Sequence, residues 1–305
     1  VTLKEFIRFS YGLFMGTSTP YLKPTKRFLF PASVEINDEN LSIVFGGSAV
    51  CAVLNAGSEV VVINTNQGDA GAKLRELVGG PVVSGTSAGE SAKVESKADG
   101  EGGDQKITLL MSSLSQDFTA GLPEIAGLIS HFLAAGNGGL GSNYFSKDVR
   151  ESTRNLHLEQ VSHEMILDIR GERLWLIPMP HQCATGSDLV IFLEHRSIMF
   201  LGALFYNHIQ PVLRIGPHFD VGVWIESLEG LLERFKPKTV IPAEGDPGTI
   251  EDVQTFISYL RDLSDPKIEF RECRSKYNWP EIPSYTSLEE NFDLIRGVKS
   301  HTTLG

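Results

Sequence analysis

From Leu41 onward the chain alternates short apolar runs with turn residues. The runs LSIVF (41–45), SAVCAVLNA (48–56) and EVVVINT (59–65) have strand length, and Ala56-Gly57-Ser58 is a tight-turn signal, so the three predict a ladder of hairpins. The period then lengthens. Leu74, Leu77 and Val78 fall on one helical face, which predicts a helix over 70–78 that Gly79-Gly80 ends, followed by a short strand at 81–83. Residues 95–106, ESKADGEGGDQK, are polar and glycine-rich and read as a surface loop. Beyond it, residues 107–111 predict a strand and 122–135 a helix. In the second half, EMILDI (164–169), RLWLIPM (173–179), DLVIFLE (188–194) and SIMFLGA (197–203) predict strands joined by tight turns at Arg170-Gly171 and His195-Arg196. Trp224, Leu228, Leu231, Leu232 and Phe235 recur at helical spacing, and TVIPA (239–243) is a further strand. Thr249 with Asp252 then caps a helix that buries Ile250, Val253, Phe256, Ile257, Leu260 and Leu263. Hairpins with helices in both halves predict an α/β protein, a four-layer αββα sandwich with sheets inside and helices outside.

Composition narrows the partners. Net charge is -11, from 27 basic and 38 acidic residues, which favours a small-molecule ligand over nucleic acid or an anionic membrane. The three cysteines, Cys51, Cys183 and Cys273, are widely spaced, which points away from a disulfide framework and toward a reducing, cytoplasmic setting. The N-terminal apolar stretch is interrupted by Lys4, Glu5 and Arg8 and closed by Pro20. It reads as an amphipathic helix with Thr2 and Glu5 as a capping box and Leu3, Phe6, Ile7 and Leu13 on one face.

The chemistry-bearing motif is VSGTSAGESA (83–92). It contains a G-x-S-x-G, the pattern of a nucleophile elbow at Ser87. GTSAG is also similar to the nucleophile stretch of a serine peptidase family that includes cyanophycinase. That family's Gly-Gly-Asp-Gln precedes its serine, whereas GGDQ here is Gly102 to Gln105, behind it.

A larger resemblance covers residues 41–263. A strand, the segment NTNQGD, a helix, a short strand and then GTSAGES resemble the opening of the metallo-β-lactamase superfamily, in which a strand ending in Asp-Thr-Gly leads to an H-x-H-x-D-H loop. GERLWLIPMPHQCATGSDLVIFLEHRSIMFLGALFYN and WIESLEGLLERFKPKTVIPAEGDPG resemble its later segments. The resemblance implies the αββα fold and a single domain over 1–305, with a core at 41–263 and extensions at 1–40 and 264–305.

It also implies where metal ligands would stand, and at those positions this chain departs from the pattern. Thr86, Ala88, Glu90 and Ser91 fall on the H-x-H-x-D-H positions, Ala184 on the next histidine, Ala203 on the bridging aspartate and Glu244 on the last histidine. Asn64 replaces the strand-end aspartate. A hydrolytic metal site needs about three nitrogen, sulfur or oxygen donors around an open position. No metal and no cofactor are therefore expected. Ser87, Glu90, His181 and Glu244 are the candidate catalytic residues of a metal-independent site; the alternative is a divalent-ion site rebuilt from His181, Glu90, Glu244 and Cys183. Thr86, Ser91, Tyr206, Asn207, His208, Arg214 and His218 are candidate ligand-binding residues; of these, Arg214 suits a bidentate grip on a carboxylate or phosphate. The tail carries aromatics and prolines in YNWPEIPSY and a last helix in SLEENFDLIRGV, and is expected to cover the core or join a homodimer contact.

Overall fold

The computed structural model describes residues 33–38, 40–46, 49–66, 68–79, 106–136, 147–213, 218–281 and 287–297. The helix expected at the N-terminus, the strand expected at 81–83, Ser87 and its motif, nearly all of residues 95–106 and Arg214 lie outside these residues.

Among the described residues the strands form two sheets. The first runs in chain order through β1 (Ser33–Asp38), β2 (Leu41–Phe45), β3 (Cys51–Ala56), β4 (Glu59–Ile63), β5 (Lys106–Met111), β6 (His131–Ala135) and β7 (Leu158–Val161). β1 to β4 are antiparallel, so the predicted hairpins are present, and β4 to β7 are parallel. The second sheet has the order β12 (Thr239–Glu244), β11 (Ile198–Tyr206), β10 (Leu189–Leu193), β9 (Glu172–Pro178), β8 (Met165–Ile169), with β11 and β12 parallel.

Alternation along the strands places the two cores. Val61 and Ile63 of β4 and Leu189, Ile191 and Leu193 of β10 share one cluster of buried side chains drawn from both sheets. Val60, Val62, Val190 and Phe192, one residue out of step, join a second cluster with the helices. Because side chains alternate faces along a strand, each sheet buries one face against its partner sheet and the other against helices. That is the αββα arrangement.

The helices are α1 (Gly68–Leu77), the short α2 (Gln116–Thr119), α3 (Leu122–Ile125) and α4 (Lys147–Ser152), then α5 (Val221–Phe235), α6 (Ile250–Ser264), α7 (Phe270–Lys276) and α8 (Leu288–Ile295). Asp220 caps α5 by accepting from the backbone N–H of Gly222 and Val223, and fully buried Trp224 donates its indole N–H to Leu204 O at 3.1 Å. Thr249 and Asp252 form the expected capping box of α6.

The helix expected over 122–135 is a correction. Only its first turn is α-helical; a 3-10 turn follows at Ala126–Leu128, and residues 131–135 are β6. Phe132, Leu133, Ala134 and Ala135 are all buried, since a strand in the parallel part of the sheet has both faces covered. Such a run carries no two-residue alternation and reads like a buried helix.

The tail packs on the core through a polar network. Tyr259 Oη donates to Gln210 Oε1 at 2.9 Å, Gln210 Nε2 donates to Tyr277 O at 3.0 Å, and Asn291 Nδ2 donates to Pro211 O at 3.0 Å. Arg296 donates to the carbonyls of Leu263, in the last turn of α6, and of Asp265 and Ile268 beyond it. Tyr277 and Asn291 thereby pin the segment that follows β11.

Candidate functional site

The site lies where β4, β5, β11 and β12 end. At the end of β4 the backbone turns left-handed at Asn64, with φ of 59°. Its amide does two jobs: Nδ2 donates to Val50 O at 3.1 Å and Oδ1 accepts from Ser112 N at 2.8 Å. An aspartate could accept but could not donate, so the asparagine suits this joint. Next to it, Thr65 Oγ1 donates to Phe118 O at 2.6 Å, and Asn66 Nδ2 bridges Gly46 O and Ala49 O. Gly121 lies so close to Asn66 that a β-carbon there would collide with backbone.

The end of β5 is tied to the turn between β9 and β10. Ser113 Oγ and Thr185 Oγ1 are 3.2 Å apart, and Leu114 N donates to Ser187 Oγ at 3.2 Å. Beneath them sits Asp188, 1% exposed, accepting from Thr185 N at 2.8 Å and Thr185 Oγ1 at 2.6 Å. Burial pushes its carboxyl up to about 6 against these hydrogen bonds.

β11 and β12 end side by side. Gly202, at φ of 53°, faces Ser112: a β-carbon would lie 2.7 Å from Ser112 Cβ and still nearer its Oγ. Ala203 is buried in the helix-side core, as is Ala184. Tyr206 is the register partner of Glu244, and Asn207 N donates to Glu244 O at 3.1 Å. Asn207 Nδ2 donates to Asp246 O at 2.9 Å. Glu244 is 9% exposed, and burial, reinforced by the charge of Asp117, holds its carboxyl well above the usual range. Among the described residues its Oε2, the Oδ1 of Asn207 and Ser112 Oγ have no hydrogen-bond partner.

The other candidates separate from this group. His181 is exposed and its ring lies edge-on to that of His218, with centroids 5.4 Å apart. No hydrogen bond or ion pair among the described residues joins His181 to Glu244. Cys183 is buried and donates to Ser227 Oγ at 3.5 Å. His208 meets Asp252 at 3.3 Å and packs on Trp279. Thr86, Ser87, Glu90, Ser91 and Arg214 lie outside the described residues. Sequence reasoning did not single out Asp188, Ser112, Ser113 or Asp117. Their roles come from tertiary burial, although the Thr-Gly-Ser-Asp turn at 185–188 carries a turn signature.

Among the described residues, those at the positions the resemblance implies do not fit a metal centre. Ala184 and Ala203 offer methyl groups in a packed core, so that Glu244 is the one described residue at those positions that carries a donor. Among the described residues no group of three or more His, Cys, Asp or Glu side chains is placed to hold a metal ion. No helix among them is long and apolar enough to cross a membrane.

Solved structures with the same arrangement of sheets and helices are known. The chain is similar to a metallo-beta-lactamase from Pontibacter korlensis, with a TM-score of 0.51 and 15% identity over 75% of this chain and 99% of that one. For the DIM-1 metallo-beta-lactamase the values are 0.52 and 15%, covering 76% and 98%. For the stereoselective inverting sec-alkylsulfatase Pisa1 from Pseudomonas sp. they are 0.54 and 13%, covering 88% of this chain and 50% of the sulfatase. The chain thus spans about half the length of that last protein. No protein-family model and no curated protein sequence matches it.

Proposed function

We propose that this chain, which has the metallo-β-lactamase fold, does not perform the metal-hydroxide hydrolysis of the superfamily it resembles and serves instead as a binding module, a pseudoenzyme on that scaffold. The observation that carries this reading is the pair of buried methyl groups at Ala184 and Ala203, standing where the resemblance implies an imidazole and a bridging carboxylate. An open metal site needs about three converging donors, and rebuilding one here would require side chains to enter a packed core. The strand ends, with polar atoms that have no partner among the described residues, are the ligand-facing region in this reading, and a small molecule is the partner that suits the acidic chain. Free, buried cysteines are consistent with a reducing cytoplasmic setting.

The test is turnover of a chromogenic β-lactam and a secondary alkyl sulfate by zinc-supplemented protein. These are the chemistries in the names of the structural neighbours. The expected result is no rate above buffer, and zinc-dependent turnover of either substrate overturns the reading.

A second reading has an observation of its own. Asp188 and Glu244 both hold their protons more tightly than ordinary carboxyls, as an acid in a metal-independent ester, thioester or lactone hydrolase, or in a lyase or isomerase, would. Turnover of activated esters or thioesters in the presence of chelator, abolished by Ser87→Ala or Glu90→Gln, would favour it.

A further inference from the structure

We propose that β8, the edge strand of the second sheet, pairs with the same strand of a second copy of this chain, forming a two-fold antiparallel dimer. The inference is independent of the strand-end site. β8 and β9 are joined by the two-residue turn Arg170-Gly171, with φ of 51° and 91°. Such a turn closes on a hydrogen-bonded pair, here Ile169 and Glu172, and along an antiparallel ladder hydrogen-bonded and non-hydrogen-bonded pairs alternate. Asp168 and Ile166 therefore stand at non-hydrogen-bonded positions toward β9 and aim their backbone N–H and C=O outward. Among the described residues no strand lies beyond β8, and no backbone group meets those outward-facing ones. β7, the last strand of the first sheet, packs against β9, one strand in from this edge.

Edge strands that stay uncovered are blunted by proline, lysine or a bulge. β8 reads MILDI, has none of these, and keeps its register with β9 without a shift. Its one charged residue, Asp168, accepts from Gly171 N at 2.8 Å within the turn. Ile166 is 39% exposed, one of two large apolar side chains so open among the described residues. Met165, Leu167 and Ile169, on the other face, pack against the inter-sheet core and are half-buried. A second copy fits this edge, and charge selects the register. With the outward groups at 166 and 168, the two-fold can centre on 166, 167 or 168. Centred on Ile166, Asp168 faces Glu164 of the second copy; centred on Asp168, two aspartates face each other. Centred on Leu167, Ile166 faces Asp168, exposed Glu164 comes level with exposed Arg170, and no like charges stand directly opposite. Leu167 then meets its own copy at the two-fold and Met165 meets Ile169, which carries the inter-sheet core across the boundary. A strand of five residues makes a short interface, so the association is weak and concentration-dependent.

The experiment is sedimentation velocity of the full chain over a concentration series up to about 1 mM, with cysteine cross-linking to read the register. The sedimenting species is expected to shift from one to two chain masses as concentration rises. Ile166→Glu sets a carboxylate opposite Asp168 and should move the midpoint upward about tenfold, whereas Ile166→Lys, which offers Asp168 an opposite charge, should not. Leu167→Cys places two thiols at a non-hydrogen-bonded pair, where Cα atoms are about 4.5 Å apart and within disulfide reach. It should give a covalent dimer under copper–phenanthroline oxidation. Ile166→Cys, whose twin is displaced along the edge, should cross-link far more slowly, and the native cysteines are buried. Thermal unfolding shows that each variant folds. One chain mass at every concentration, a dimer that Ile166→Glu leaves unchanged, or cross-linking no faster at 167 than at 166 would each overturn the proposal.

Discussion

Replacing Asp188 with asparagine should make stability less dependent on pH, with a sign that follows from burial. The carboxyl is 1% exposed and is pushed up to about 6, against an unfolded value of about 3.9. The gap of about 2 units, at about 1.36 kcal/mol each, corresponds to about 3 kcal/mol. Because the folded value is raised, the native state holds the proton more tightly. The favourable contribution is complete below about pH 4 and is lost as pH rises through about 6. Asparagine fits the same space, with its oxygen toward Thr185 N and its NH₂ toward the Thr185 hydroxyl, which also accepts. It carries no ionisation to suppress. Urea unfolding of wild type and Asp188→Asn between about pH 4 and about pH 8 measures the difference. The variant is expected to gain about 3 kcal/mol relative to wild type across that range. A constant difference, or one that moves against the variant as pH rises, would mean that the Thr185 hydrogen bonds outweigh desolvation, and the reasoning would fail.

The remaining predictions concern the same strand ends and the tail. Gly202→Ala places a β-carbon against Ser112 at a left-handed backbone angle and should cost about 2 kcal/mol or more in urea unfolding. Asn64→Asp removes the donor to buried Val50 O, and a loss of about 1–3 kcal/mol is expected near neutral pH by the same assay. Asn291→Ala deletes the bonds to Pro211 O and Tyr259 Oη, which should cost about 1–3 kcal/mol and raise amide exchange at residues 209–213. Unchanged exchange there would show that the tail does not pin this segment.

Legibility in the sequence tracked how local each signal was. β2, β3 and β4 are short apolar runs set off by turn residues, and the capping residues of α6 stand three apart, so pattern alone located them. β6 was misread because tertiary burial of both faces erased the alternation that marks a strand. β1 and β7 are edge strands with few apolar residues: Val34 and Ile36 in one, Leu158 and Val161 in the other. At the site, the alanines at 184 and 203 were readable as missing donors because a methyl group has one chemical meaning. Asn64 was readable only as a departure from aspartate; its two-sided hydrogen bonding needs Val50 and Ser112 in place. Asp188 acquires its raised pKa from burial under the Thr185 turn, which no spacing along the chain encodes. The association of His181 with His218, rather than with Glu244, likewise depends on how two distant loops meet.

The central claim is that the residues at the strand ends do not form a metal centre. Elemental analysis by mass spectrometry of the full chain, purified without chelator and desalted after incubation with zinc, iron and manganese, tests it most directly. The expected result is metal far below one equivalent per chain, and one or two equivalents of tightly held zinc, iron or manganese would contradict the claim.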